Sequence, residues 1–208
     1  MKLLNIHSGV AGVYFPAGID GTCENATKKC LKHCTALECE KSGKDTINTK
    51  DILYSFMTEP IYKLTEQIEL ELKELKTNII FWFASGDCPE YFESKFYEII
   101  KDSNWVNLIF TRNEHLWRKL TYLKSNKIII IYSLDDIDEL KKLSNSGRIA
   151  IPDYKTGNMR LYYLDYSRDC SGSKYDMKER NIKNMEINED ECQNCYKKDI
   201  GCFYQIDF

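Results

Sequence analysis

No apolar run in this chain approaches the roughly 20 residues that a membrane span requires. The opening stretch begins with Lys2, but His7, Ser8 and Gly9 interrupt it early, so it makes a poor secretory leader. Positive charge is not in excess. Lys and Arg number 29 against 32 Asp and Glu, giving a net charge of −3. That balance argues against a general nucleic-acid binder, although a local basic patch is compatible with it. There is no low-complexity tract and no internal repeat beyond an alternation of strands and helices. Together these absences predict a cytoplasmic protein with no membrane association. Its 208 residues suit one domain with a small appendage.

Cysteine, by contrast, is plentiful and unevenly placed. Cys23, Cys30, Cys34 and Cys39 fall near the start; Cys170, Cys192, Cys195 and Cys202 fall near the end; Cys88 stands between them. Thiols in a reducing compartment are more often ligands or catalysts than disulfides, and an odd count of nine agrees. In the first group, Cys30 and Cys34 are one helical turn apart and Cys23 can loop back to them. Three thiolates can hold three irons of a [4Fe–4S] cluster and leave the fourth iron open. A zinc site recruiting Cys39 or His33 has the same spacing, and ligand type does not separate the two. Buried free thiols are the third reading. In the last group, Cys192-Gln-Asn-Cys195 is a metal knuckle. With Cys170 and Cys202 it makes a four-thiolate set for zinc or a second cluster. The polar stretch Ser167–Glu191 has little else to order it.

The chain between these groups has an α/β rhythm. Lys2–Phe15 reads as one or two short strands around Ser8-Gly9. A helix begins near residue 49, capped by Thr49 or Asp51, and Pro60 kinks or restarts it. Ile61, Leu64, Ile68, Leu72 and Leu75 have helical spacing, with Glu66, Glu69, Glu71, Lys73, Glu74 and Lys76 read as the solvated face. Strands are expected at 78–84, 106–110, 127–132 and 148–151, with helices at 89–101, 114–123 and 135–143 between them. Residues 159–164 are a candidate further strand. This order predicts a mainly parallel sheet with right-handed crossovers. The expected organisation is an α/β domain over 1–166, an incomplete βα barrel, followed by a Cys-rich metal-binding tail over 167–208. Trp82, Trp105 and Trp117 read as packing residues, and Cys88 as a buried thiol. The three histidines, His7, His33 and His115, are scattered.

Polar residues emerge from the apolar runs at one edge: Ser85, Gly86 and Asp87; Thr111 and Arg112; Ser133 and Asp135. In parallel βα architectures that edge is where ligands gather. Gly86 permits close backbone approach, and Asp87 offers a carboxylate to an ammonium group. Asp87 and Asp135 also stand where helix caps would, and Arg112 where a surface ion pair would.

Pro16-Ala17-Gly18 followed by Cys23-x6-Cys30-x3-Cys34-x-Ala36 resembles the cluster loop of a phage-encoded iron–sulfur family of the gene-product-88 type, itself similar to radical S-adenosylmethionine enzymes. Thr35 replaces the aromatic residue usual after the third cysteine, and Cys39 falls outside the pattern. The resemblance continues through Ser85-Gly86-Asp87, Thr111-Arg112 and Ser133-x-Asp135 to the closing cysteines, covering most of the chain. It implies a [4Fe–4S] cluster on Cys23, Cys30 and Cys34. S-adenosylmethionine would be held by Ser85, Gly86, Asp87, Arg112 and Asp135, and would be cleaved reductively to start radical chemistry. The implied electron donor is a flavodoxin or ferredoxin. The substrate, whether peptide, nucleotide or metabolite, is not implied. The rival expectation is a non-enzymatic iron–sulfur or zinc protein serving electron transfer, sensing or as an adaptor.

Overall fold

A computed structural model describes residues 2–7, 10–43, 47–123, 125–135, 139, 147–152 and 159–164. Two compact units divide the chain, Met1–Ile131 and Tyr132–Phe208. The expected boundary at 166/167, most of the expected 135–143 helix, and Cys170, Cys192, Cys195 and Cys202 lie outside the described residues.

In the first unit, β1 (Asn5–His7) pairs antiparallel with β2 (Val10–Tyr14). β2 runs parallel to β3 (Ile79–Ser85), and β3 parallel to β4 (Val106–Thr111). β5 (Ile128–Ser133) comes next, so the strands lie in chain order in a mostly parallel sheet that does not close into a barrel. Parallel neighbours need long crossovers. They are supplied by α3 (Thr49–Thr58) and α4 (Ile61–Leu75) before β3, α5 (Glu93–Ile100) before β4, and α6 (Glu114–Thr121) before β5. Two shorter helices, α1 (Lys28–Lys32) and α2 (Thr35–Ser42), carry the first cysteines.

The helix boundaries follow local chemistry. The cap of α3 is Asn48, one residue before the expected position: its side chain accepts the N–H of Asp51 at 3.3 Å. Glu59 is extended ahead of Pro60, which ends α3 and lets α4 begin afresh. In α4, Leu64, Ile68 and Leu72 are buried as the spacing predicts. One member of the expected solvated face is not solvated. Glu71 is buried, and its carboxylate accepts the backbone N–H groups of Leu3 (2.9 and 3.0 Å) and Leu4 (2.6 Å) and the amide of Gln67 (2.9 Å). The residues before β1 have no helix or ladder to receive these donors, so a buried acceptor replaces water.

β3 is the continuous apolar run expected, but it is not a regular strand. Gly12 faces Phe81 while Tyr14 faces Ser85, so two steps on β2 oppose four on β3. Phe83 absorbs the excess with φ +59, a conformation costing a bulky residue about 1–3 kcal/mol. A regular pleat sends consecutive side chains to opposite faces. Here Trp82 and Phe83 both meet Phe96 of α5, with ring centroids 4.9 and 5.0 Å away. Phe15, Phe56 and Phe92 extend the same cluster at 5.5–6.0 Å. Trp82 and Trp105 are core residues, and both indole N–H groups donate to Oδ1 of fully buried Asn107, at 2.8 and 2.9 Å.

In the second unit, β6 (Gly147–Pro152) and β7 (Met159–Leu164) pair antiparallel from Gly147↔Leu164 to Pro152↔Met159. The strand expected at 148–151 lies within β6, and the one at 159–164 is β7. Among the described residues no helix is long and apolar enough to cross a membrane.

Candidate functional site

Past β2 the chain makes a tight loop against the carboxyl end of β3. Phe15 donates its N–H to the Ser85 carbonyl at 2.9 Å, and the Ser85 hydroxyl donates back to the Phe15 carbonyl at 2.9 Å. The loop then closes on itself. Gly21 and Cys23 donate to the Gly18 carbonyl at 3.1 and 3.0 Å, and Thr22 donates its N–H to Pro16 at 2.9 Å. Gly18 has φ +85, which this turn requires. Thr22, fully buried, joins loop and strand. Its hydroxyl donates to the Pro16 carbonyl at 3.0 Å and accepts the Asp87 N–H at 3.0 Å. Gly86 is the reason they can approach. Its φ is +79, and a Cβ there would lie 2.5 Å from the Thr22 hydroxyl and 2.9 Å from the Phe15 carbonyl oxygen. The close approach that Gly86 serves is therefore by the protein's own cysteine loop.

This loop delivers Cys23, half-buried, to the strand ends. Cys30 and Cys34, also half-buried, do not share a helix as their spacing implied. Cys30 sits in α1, which begins where Thr27 accepts the Cys30 N–H at 3.0 Å and ends at His33. Cys34 is the cap of α2, its sulfur accepting the Leu37 N–H at 3.4 Å. α2 is in turn tied to the loop: Glu40 accepts the Ala17 N–H at 3.0 and 3.2 Å, and the Ser85 hydroxyl stands 3.4 Å from it. Cys39 is exposed on α2.

Burial pushes the Cys23 thiol up to about 12, with the Asp87 charge raising it next and Cys34 and Cys30 adding to it. The last three effects mark Asp87 and the other two sulfurs as electrostatic neighbours of Cys23. A cation among them would offset each of these penalties. Among the described residues no three His, Cys, Asp or Glu side chains are spaced to hold a single metal ion.

Asp87 itself is buried and hydrogen-bonded throughout. One oxygen accepts the Thr111 hydroxyl at 2.6 Å and the Cys88 N–H at 2.7 Å; the other accepts the Arg112 N–H at 2.8 Å. It thereby clamps the end of β3 to the end of β4. Burial raises its pKa from 3.8 to about 6, against the lowering effect of those bonds and of the nearby Arg112 charge. Arg112 is half-buried. Cys88 is buried, and its thiol is held well above the ordinary range by burial and by the Asp87, Glu93 and Glu24 charges. Asp135, in the second unit, is buried and donates its N–H to Glu139 at 3.1 Å; Ser133 is half-buried.

Several residues of this rim carry no sequence signal. Thr22 and Glu40 lie in polar stretches and are recognisable only from what they bond. Buried Glu93 is another: its oxygens stand 2.5 Å from the Asn113 amide and 2.6 Å from Nδ1 of exposed His115. Asn113 meanwhile caps α6 through the Leu116 N–H at 3.0 Å. Comparison of the chain with family models, curated proteins and solved structures finds no match.

Proposed function

We propose that Cys23, Cys30 and Cys34 hold a [4Fe–4S] cluster at the strand ends, and that the protein is a radical-S-adenosylmethionine-like enzyme acting on an unidentified substrate. One observation carries this reading: the loop bearing Cys23 is bonded onto the carboxyl end of β3 through Thr22 and Asp87, with Cys30 and Cys34 among the neighbours that raise the Cys23 thiol. Chain-order strands in an open, mostly parallel sheet accord with an incomplete βα barrel. The donor chemistry fits a cluster through its three thiols, with the Asp87 carboxylate an electrostatic neighbour of Cys23.

When bound, such a cluster supplies one-electron reduction of S-adenosylmethionine, and an external flavodoxin or ferredoxin would be its donor. The chain's own residues hold and shield. Thr22 and Glu40 fix the loop, Asp87 and Thr111 fix the strand ends, and Arg112 places positive charge beside the Asp87 carboxylate. In this reading Ser85, Gly86 and Asp87 shape the floor of the S-adenosylmethionine site, with Arg112 as a further contact. Cys170, Cys192, Cys195 and Cys202 would take zinc or a second cluster.

A second reading has its own support. The Asp87 carboxylate and Ser85 hydroxyl are already engaged within the protein. That favours a cluster-binding protein for electron transfer or sensing that does not cleave S-adenosylmethionine. One experiment separates the readings. Protein reconstituted without oxygen is analysed for iron, sulfide and zinc, then given dithionite and S-adenosylmethionine. Release of methionine and 5′-deoxyadenosine, abolished by Cys30→Ala, supports the enzyme. Iron-loaded, reduced protein that leaves S-adenosylmethionine intact supports the second reading. Zinc without iron defeats both.

A further inference from the structure

α1, which carries Cys30, and α2, which Cys34 caps, also line a cleft of about 460 Å³. Lys28 and Lys32 of α1 and Lys41 of α2 belong to its lining, with Asp20 the single acidic residue there. The chain as a whole is acidic, with a net charge of −3, so a cleft lined by three lysines and one acidic residue is a local reversal. Leu31 and Leu37 supply an apolar wall. Gly18 matters here too: a Cβ at that position would come within 3.0 Å of the Leu37 side chain, on top of the strain of its positive φ. A side chain there would displace the wall.

We infer that this cleft binds a phosphorylated organic anion, its phosphate on Lys28, Lys32 and Lys41 and its organic part against Leu31 and Leu37. Three features select that class. Three lysines lining one cleft favour a multiply charged oxyanion over a single carboxylate. The apolar wall gives an organic group a surface that inorganic phosphate cannot use. The volume lies in the usual range for small-molecule sites. The site needs no metal, so its test is independent of the cluster proposed above.

The experiment is isothermal titration of the full-length protein with adenosine 5′-monophosphate, inorganic phosphate and adenosine at low ionic strength. The monophosphate is expected to saturate in the millimolar range or below, about tenfold or more tighter than inorganic phosphate, with adenosine weaker than either. The combined change Lys28→Ala, Lys32→Ala and Lys41→Ala should weaken monophosphate binding by about tenfold or more. All three lysines are exposed, so circular dichroism should confirm an unchanged fold. Lys32→Glu alone should weaken binding in the same direction. Leu37→Ala should weaken the monophosphate and leave inorganic phosphate unchanged. Absence of saturable monophosphate binding overturns the proposal, as does binding indifferent to the lysine changes. Binding of poly-glutamate with no response to either phosphate compound also overturns it, and would mark the cleft as a contact for an acidic polypeptide.

Discussion

The hydroxyl of Thr22 receives the backbone N–H of Asp87 at 3.0 Å, joining the cysteine loop to a strand end 65 positions away in sequence. The same hydroxyl donates to Pro16, so one side chain both closes the loop and moors it. Thr22→Val keeps the shape and removes both bonds. An unpaired buried N–H costs about 1–3 kcal/mol, and that is the loss of stability expected in urea. The loop should also loosen, so Cys23 should react faster with a thiol reagent in the native state. A stability loss with unchanged thiol reactivity would separate the mooring from the exposure of Cys23.

Gly86 and Gly43 offer a paired test of why the rim needs glycine. Both have positive φ, +79 and +64, but a Cβ at Gly43 meets nothing within 4 Å, whereas at Gly86 it meets Thr22 and Phe15. Gly43→Ala should therefore show only the conformational penalty, about 1 kcal/mol. Gly86→Ala adds a clash with backbone and should lose roughly 3 kcal/mol or more. Equal losses in the two variants would mean that the loop moves aside without penalty.

Asp87 makes stability depend on pH in a definite direction. Its pKa is about 6 in the fold against 3.8 unfolded, so between those values the folded state binds more protons. Stability from this group is then full below about pH 4 and falls as pH rises toward 6, by roughly 3 kcal/mol in all. Asp87→Asn abolishes that slope while losing the acceptor for Arg112. Urea unfolding of both proteins from pH 4 to 7 isolates the effect as their difference. A wild-type minus variant difference that grows with rising pH would reverse the sign and refute the assignment.

The pattern of the chain was legible where period and punctuation agreed. The strands expected at 78–84, 106–110 and 127–132 form within one residue of those bounds, and Pro60 separates two helices, because burial and proline chemistry act locally. What escaped was whatever depends on distant partners. A register slip between β2 and β3 turns Phe83 to φ +59, and nothing in Phe-Trp-Phe announces it. Cys30 and Cys34 fit one helical turn, yet the chain breaks between them, since Cys34 is itself the cap of the next helix. The candidate site divides the same way. Its thiols are visible as a spacing, but Thr22 and Glu40, which hold them against the sheet, are ordinary polar residues until the fold supplies their partners.

Glu71 is the sharpest instance, and it yields the last test. In sequence it belongs to a charged run on an amphipathic helix; in the fold its carboxylate takes two backbone N–H groups from Leu3 and Leu4. Leu3 and Leu4 are themselves buried, so without Glu71 those donors have neither water nor a ladder partner. Glu71→Ala should lose about 3 kcal/mol, more than a surface glutamate on this helix such as Glu74, whose replacement should stay within about 0.5 kcal/mol. Glu71→Gln keeps one acceptor oxygen and should fall between them. Hydrogen exchange gives the local readout: the amides of Leu3 and Leu4 should lose protection in Glu71→Ala under conditions where α5 and β4 keep theirs. Retained protection at Leu3 and Leu4 would show that something other than this carboxylate secures the start of the chain.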